Sequence, residues 1–282
     1  MIEIDPLIDY SKEQRRAIAF IDMKSFYASV ECVERGLNPL STSLCVMSGA
    51  DNSAGLILAS SPTFKKVFGK DNVGRSRDLP FYTNNRKFNY QNYYRTAPRD
   101  WLNKATPPSK SEVAFIESWA KRTEIVPPRM SKYIEKNIEI QHAIQNFASP
   151  EDIFWYSIDE GFVDLTSSLN YFYDKALPAE VKLDRLSREI QLAILNQTGI
   201  YSTVGMSIGN PLLAKLALDN EAKHNSNMRA FWTYENIPDK VWKIKSLTDF
   251  WGINTRTEKR LNKLGIKSVY DLAHCSPALL KK

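Results

Sequence analysis

Two short apolar runs that end in carboxylates constrain this chain more than any other feature. Ala17-Ile-Ala-Phe-Ile-Asp22 is brief, rich in branched side chains and closed by an acid, the pattern of a buried strand whose end meets a surface. Ile153-Phe-Trp-Tyr-Ser157, Ile158-Asp-Glu160 and Phe162-Val-Asp-Leu165 follow one another as two strands with Asp159 and Glu160 at the tip between them. A carboxylate at the edge of a buried strand is costly unless water, a counter-charge or a metal ion takes it up. Three acids delivered from two strand ends to one point would suit a hard divalent cation such as Mg²⁺, which prefers oxygen donors. Two such ions can bridge carboxylates and phosphates during an in-line displacement. The same residues also fit a plainer arrangement, with 159–160 as a polar turn and Asp22 as a helix N-cap.

The surrounding pattern mixes strands and helices without regular βαβ alternation, which points to an α+β fold. Ser25–Arg35 reads as a helix closed by Gly36. Leu44–Met47 and Gly55–Ala59 read as strands, and Pro62–Phe68 as a helix with proline in its first turn and Gly69 beyond its end. Residues 82–110 are dominated by Asn, Tyr, Arg, Lys and Pro and show no period, so an extended, partly irregular insertion is expected. Its segment Arg86–Arg95 interleaves aromatic and basic residues, fitting either packing on the fold or stacking on single-stranded bases, with packing favoured. Helices are expected at Glu112–Arg122, Met130–Phe147, Ala179–Gln197 and Leu212–Lys223, with a strand at Thr203–Ser207. The last forty residues or so read as a separate helical unit: Gly252, a short amphipathic helix to Gly265, and a further helix from Ser268.

At 282 residues, with 43% hydrophobic and 25% charged residues, the composition is that of a soluble globular protein. No run of 18 apolar residues exists, so no membrane partner is expected. Met1–Asp5 does not resemble a signal peptide, and the odd set Cys32, Cys45 and Cys275 does not suggest disulfides or zinc, so a cytoplasmic setting is expected. The net charge is +6. Lys240–Lys282 holds ten Lys or Arg against three Asp or Glu, a net +7, which leaves the remainder close to neutral. A basic end of this kind suits a nucleic-acid backbone.

The motifs resemble one family. Phe20-Ile-Asp-Met-Lys-Ser-Phe-Tyr-Ala-Ser-Val-Glu31 is similar to the opening motif of Y-family translesion DNA polymerases, and Tyr156-Ser-Ile-Asp-Glu-Gly-Phe-Val-Asp164 to their second carboxylate motif. Val204–Ala217 is similar to the strand and helix that follow, and Ile125–Ile134 resembles the UmuC-like branch of Gram-positive bacteria. The order of the motifs is the family's own.

The resemblance implies a right-hand polymerase core. The expected parts are a ferredoxin-like palm over 1–36 and 82–224 with an insertion near 82–125, small fingers over 37–81, and a helix-hairpin-helix thumb over 225–282. Asp22, Asp159 and Glu160 would be catalytic, holding two Mg²⁺ ions (Mn²⁺ as the substitute) together with the Met23 carbonyl. Phe26, Tyr27, Thr63, Lys66 and Lys215 would bind the incoming deoxynucleoside triphosphate, with Tyr27 as the ring that excludes a ribose 2′-hydroxyl. Gly252, Ile253, Asn254, Arg256, Lys259 and Lys263 would grip primer–template DNA. The implied activity is low-fidelity, template-directed synthesis in damage tolerance and the SOS response, with a sliding clamp or recombinase filament as further partners.

Three departures stand out. Thr63 falls where the family often has tyrosine, Gly161 replaces the usual alanine with no evident consequence, and Gly252-Ile-Asn254 stands for Gly-Ile-Gly. Asparagine tolerates left-handed backbone angles, so the last turn is expected to survive. Family members also run on into a little-finger domain, so a truncated product, a fragment or a partner-assisted chain is expected. For single lysines such as Lys66 and Lys215 the plain reading is a solvated surface residue. Two other functions stay open. One is a catalytically inactive DNA-binding remnant; the other is a two-metal phosphotransferase, such as a nucleotidyl cyclase, on a similar palm.

Overall fold

The computed structural model describes residues 9–49, 54–69, 74–96 and 107–281. The expectations for Met1–Asp5, for the middle of the 82–110 insertion and for Lys282 lie outside the described residues. The strands are β1 (Arg16–Met23), β2 (Leu44–Ser48), β3 (Leu56–Ser60), β4 (Glu124–Val126), β5 (Ile153–Trp155), β6 (Glu160–Asp164), β7 (Ser202–Gly209) and β8 (Arg229–Trp232). The α-helices are α1 (Phe26–Val33), α2 (Pro62–Phe68), α3 (Tyr90–Thr96), α4 (Lys110–Arg122), α5 (Met130–Ile144), α6 (Leu169–Phe172), α7 (Ala179–Thr198), α8 (Pro211–Asn220), α9 (Thr255–Lys263) and α10 (Val269–His274). The chain divides into two compact units.

The first unit comprises the chain up to Asp22, Gln141–Gln197 and the chain from Ser202 on. Its sheet has the order β5-β6-β1-β7-β8. β1 lies in the middle, and burial on both faces explains why its sequence is continuously apolar rather than alternating. It runs antiparallel to β6, with Ile18 opposite Asp164 and Asp22 opposite Glu160. β5 and β6 form the expected hairpin. Gly161 opposes Trp155 there, and a Cβ on Gly161 would sit 2.6 Å from the Trp155 ring. Glycine at this position is therefore not neutral: the indole occupies the space an alanine needs.

Helix α8 presents three faces, as about 3.6 residues per turn allows. Ala214 and Leu218 pack on Ile18 and Phe20 of β1, with Phe162 beside them. Leu213, Leu216 and Ala217 join a cluster with Trp232, Leu247, Leu261 and Ile266. Lys215 and Asp219 occupy the third face. The helix approaches β7 so closely that a Cβ on Gly205 would stand 2.0 Å from the Ala214 carbonyl oxygen. The C-terminal helices share an apolar cluster with α8. Leu261 of α9 and Val269 of α10 belong to it.

The second unit comprises Met23–Ile140 with Thr198–Tyr201. Its sheet has the order β3-β2-β4, with β2 antiparallel to β3 and parallel to β4. Phe64 and Phe68 of α2, Trp119 of α4, Phe81, Phe88 and Tyr93 form its core. Among the described residues of the 82–110 segment, Tyr90–Thr96 is helical and buries Tyr93, while Tyr90 and Tyr94 remain exposed. Packing accounts for part of that aromatic run, because Phe88 and Tyr93 fill space against Leu79 and Trp119.

Candidate active site

β1 and β6 set the acids. Their register places Asp22 directly across from Glu160, and the turn before β6 holds Asp159, whose carboxylate accepts a 3.0 Å bond from the Ser157 hydroxyl. The predicted N-cap role for Asp22 is not seen, since the residue lies within β1.

Each flanking charge comes from α8 or just beyond it. Lys215 Nζ donates to Glu160 Oε2 at 2.6 Å and lies 3.3 Å from Asp219. Lys223 Nζ stands 3.3 Å from Asp22 and 2.8 Å from Asp219. The Tyr156 hydroxyl donates to Glu160 Oε1 at 2.9 Å. Lys215 also sits over the Phe20 ring, 5.0 Å from its centroid. Only 5% of Lys215 is exposed, so the plain reading as a solvated surface lysine is wrong for this residue. Asp219, Lys223 and Tyr156 were not singled out from the sequence. The i, i+4 spacing of Lys215, Asp219 and Lys223 is the signal that was available.

The electrostatics follow from this crowding. Burial pushes the Asp22 carboxyl up to about 6, against the pull of Lys223 and Lys215, while Asp159 and Glu160 push the same way. Burial also raises Asp159, partly offset by the Ser157 hydrogen bond. The Tyr156 phenol is raised by burial and by the Glu160 carboxylate it bonds.

The donor type fits a hard divalent cation: the acidic side chains offer only oxygens, and Asp22 carries a strained negative charge. Their placement is another matter. Among the described residues no three Asp, Glu, His or Cys side chains are gathered tightly enough to hold one ion. Lys215 and Lys223 supply the positive charge instead.

In the second unit, Ser25 takes a left-handed backbone conformation (φ 50°, ψ 50°) at the turn from β1 into α1. Phe26 follows, buried at 2% exposure, and then Tyr27, half-buried with its ring stacked on Tyr133. The Thr63 hydroxyl donates to the Leu40 carbonyl at 2.7 Å. Lys66 is exposed in the last turn of α2.

In the C-terminal helices, Gly252 takes the positive φ of 91°. Asn254 does not: at φ −93° it is extended, and its side chain caps α9 by accepting from the amides of Arg256 and Thr257 at 3.0 and 2.9 Å. The turn survives because asparagine is a strong N-cap, not because it tolerates left-handed angles. Ile253 is half-buried, whereas Arg256, Lys259 and Lys263 are exposed on α9. Lys240, Lys243, Lys245 and Trp251 line a cleft of about 1060 Å³ that also reaches Asp219 and Asn254.

Comparison with known proteins bears on the fold. The impB/mucB/samB family matches residues 109–219, which hold Asp159, Glu160 and Lys215, and the helix-hairpin-helix motif of the same family matches residues 234–266. UvrX of Bacillus subtilis (strain 168), whose name assigns it to UV-damage repair, is 34% identical over 98% of this chain and 54% of its own length. DNA polymerase IV 2 of the same organism is 29% identical over 95% of this chain and 53% of its own length. The chain thus spans about half the length of the curated relatives it matches. A solved Y-family DNA polymerase chimera superposes with a TM-score of 0.64 at 20% identity, covering 94% of this chain and 62% of the chimera. DinB from Sulfolobus solfataricus superposes with a TM-score of 0.59 at 22% identity over 94% of this chain and 62% of its own. The chain is thus similar to the impB/mucB/samB family over residues 109–219 and to its helix-hairpin-helix motif over residues 234–266, and it has the fold of a Y-family DNA polymerase.

Proposed function

We propose that the chain performs template-directed DNA synthesis of the translesion type. In this reaction a primer 3′-hydroxyl attacks the α-phosphorus of a deoxynucleoside triphosphate, a new P–O bond forms, and pyrophosphate leaves. The observation that carries this reading is the pairing of Asp22 with Glu160 across β1 and β6, with Asp159 at the adjoining turn. Asp22, Asp159, Glu160 and the Met23 carbonyl are the donors that would hold two Mg²⁺ ions. Bound there, a divalent metal would stabilise charge on the phosphoryl oxygens. Lys215 and Lys223 hold these carboxylates against mutual repulsion, and Lys215 is the α8 cation that would contact the triphosphate. Phe26, Tyr27, Thr63 and Lys66 are the remaining nucleotide contacts. Arg256, Lys259 and Lys263 meet the DNA backbone, with Gly252, Ile253 and Asn254 shaping the turn.

In this reading residues 1–36 and 82–224 are palm, 37–81 fingers and 225–282 thumb. The setting is damage tolerance in the cytoplasm within an SOS response, with a sliding clamp or recombinase filament supplying further hold on DNA.

Lysine capture of the acids supports a second reading, a DNA-binding remnant without catalysis. Primer extension on undamaged template with Mg²⁺, at protein in excess of DNA, separates the two. Extension by the native chain, lost by at least about 100-fold in Asp159→Ala, establishes the polymerase. No extension by a folded chain that binds DNA establishes the remnant. Titration of Mn²⁺, read by its electron spin resonance, adds a measure independent of turnover: the native chain takes up the ion and Asp159→Ala binds it more weakly.

A further inference from the structure

Behind Tyr27 lies a network that the proposed reaction does not use. The Tyr27 ring stacks on Tyr133 with 4.2 Å between centroids and 13° between planes. Tyr133 is fully buried, and its hydroxyl donates to Glu31 Oε1 at 2.8 Å. Glu31 is itself fully buried and takes a forked contact from Arg129, with Nη2 at 2.8 Å and Nε at 3.1 and 3.2 Å, and a further bond from Arg35. The spacing makes this a double clamp. Tyr27 and Glu31 are four residues apart on one side of α1, and Arg129 and Tyr133 are four apart at the start of α5. Phe26 closes the edge, its ring at 62° to Tyr133. A ring stacked on a partner whose own hydroxyl is tied to a buried carboxylate has few places to go.

We propose that Tyr133, anchored through Glu31 to Arg129 and Arg35, is a positioning residue that fixes the Tyr27 ring and so sets discrimination between deoxyribose and ribose at the nucleotide site. The proposal rests on Tyr27 facing the sugar, as read above. A ring held in one place meets a 2′-hydroxyl as a wall; a ring free to swing away admits it. Loosening the ring therefore acts on the KM for ribonucleotides and leaves the kcat for deoxynucleotides nearly unchanged.

The test compares single-nucleotide incorporation of dATP and ATP by the native chain, Tyr27→Ala, Tyr133→Leu and Tyr133→Phe, each first shown to melt cooperatively. Tyr133→Leu is expected to lower the deoxy-to-ribo ratio of kcat/KM about tenfold through a lower KM for ATP, a loss of the size that a small misplacement of a contact group produces. Tyr133→Phe keeps the ring but cuts its bond to Glu31, and is expected to lower the ratio about threefold, between native and Tyr133→Leu. Should Tyr133→Leu fail to fold, Arg129→Met carries the test, because it releases the Glu31 end of the clamp at a part-exposed side chain; the ratio then falls about threefold. If Tyr27→Ala relaxes the ratio while folded Tyr133→Leu, or Arg129→Met in its place, keeps the native value, the positioning role is overturned and the reading of Tyr27 stands. If Tyr27→Ala leaves the ratio unchanged, or the native chain incorporates neither nucleotide, the reading of Tyr27 falls and the positioning role with it.

Discussion

Glu31 is cut off from water, whereas its partners Arg35 and Arg129 keep 32% and 38% of their side-chain surface exposed. Burial pushes the Glu31 carboxyl up, but the bonds from Arg129, Arg35 and Tyr133 outweigh it, and the group is held below the ordinary glutamate range. Its stabilising effect is therefore complete above about pH 4.5 and is lost as pH falls through the lower folded value. In acid titrations followed by circular dichroism, Glu31→Gln is expected to be less stable than native at pH 7, with the gap closing as pH falls. The cost at pH 7 is about 2 kcal/mol, below the usual about 3–5 kcal/mol for a broken buried pair, because the arginines can rehydrate. Gly161 makes a second point at this scale. Gly161→Ala sets a methyl against the Trp155 ring and the Phe154 carbonyl, and thermal melts should register a loss of about 1–3 kcal/mol. Replacing glycine with the alanine that resemblance suggests would thus harm this chain, since its own tryptophan has taken the space.

Helix α8 decides whether the acids can be served at all, since one turn of it delivers Lys215 and Asp219 while its other faces hold β1 and α9. Gly205 is what lets it approach β7. Gly205→Ala is expected to cost about 3 kcal/mol or more, since the carbonyl of Ala214 and the amide of Leu218 are backbone and cannot rotate away. Long or strongly patterned elements such as α2, α4, α7 and β1 were legible in the sequence almost to the residue, because capping residues, prolines and apolar continuity all agree there. β4 and β8 were not, for a physical reason: three or four residues carry too little pattern, and these strands exist because β2 and β7 offer them edges to pair with. The same holds for the site. Asp22, Asp159 and Glu160 stood out as acids at apolar run ends, whereas Lys223 and Tyr156 acquire meaning only when folding brings them to those acids. Asn254 shows the converse: the turn expected there is kept, but by its side-chain cap rather than by a left-handed backbone.

Over the whole molecule the charge is uneven, with the excess of cations concentrated after Lys240. Duplex DNA binding by this chain is expected to fall steeply with salt, and Lys259→Ala and Lys263→Ala should each lower the slope of log affinity against log salt by about 1 without changing sequence preference. Fluorescence anisotropy across a salt series measures both. The C-terminal helices that carry these cations share their apolar seam with α8, the helix that also holds Lys215. That seam limits how such a chain can be recombined with its relatives. A crossover placed at residue 225 would hand the incoming helices a foreign surface at Leu213, Leu216 and Ala217, whereas one placed ahead of β7 would move both sides of the seam together. The heritable module is therefore β7, α8 and the helix-hairpin-helix as one block, and the lysine that answers Glu160 travels with the helices that would answer DNA.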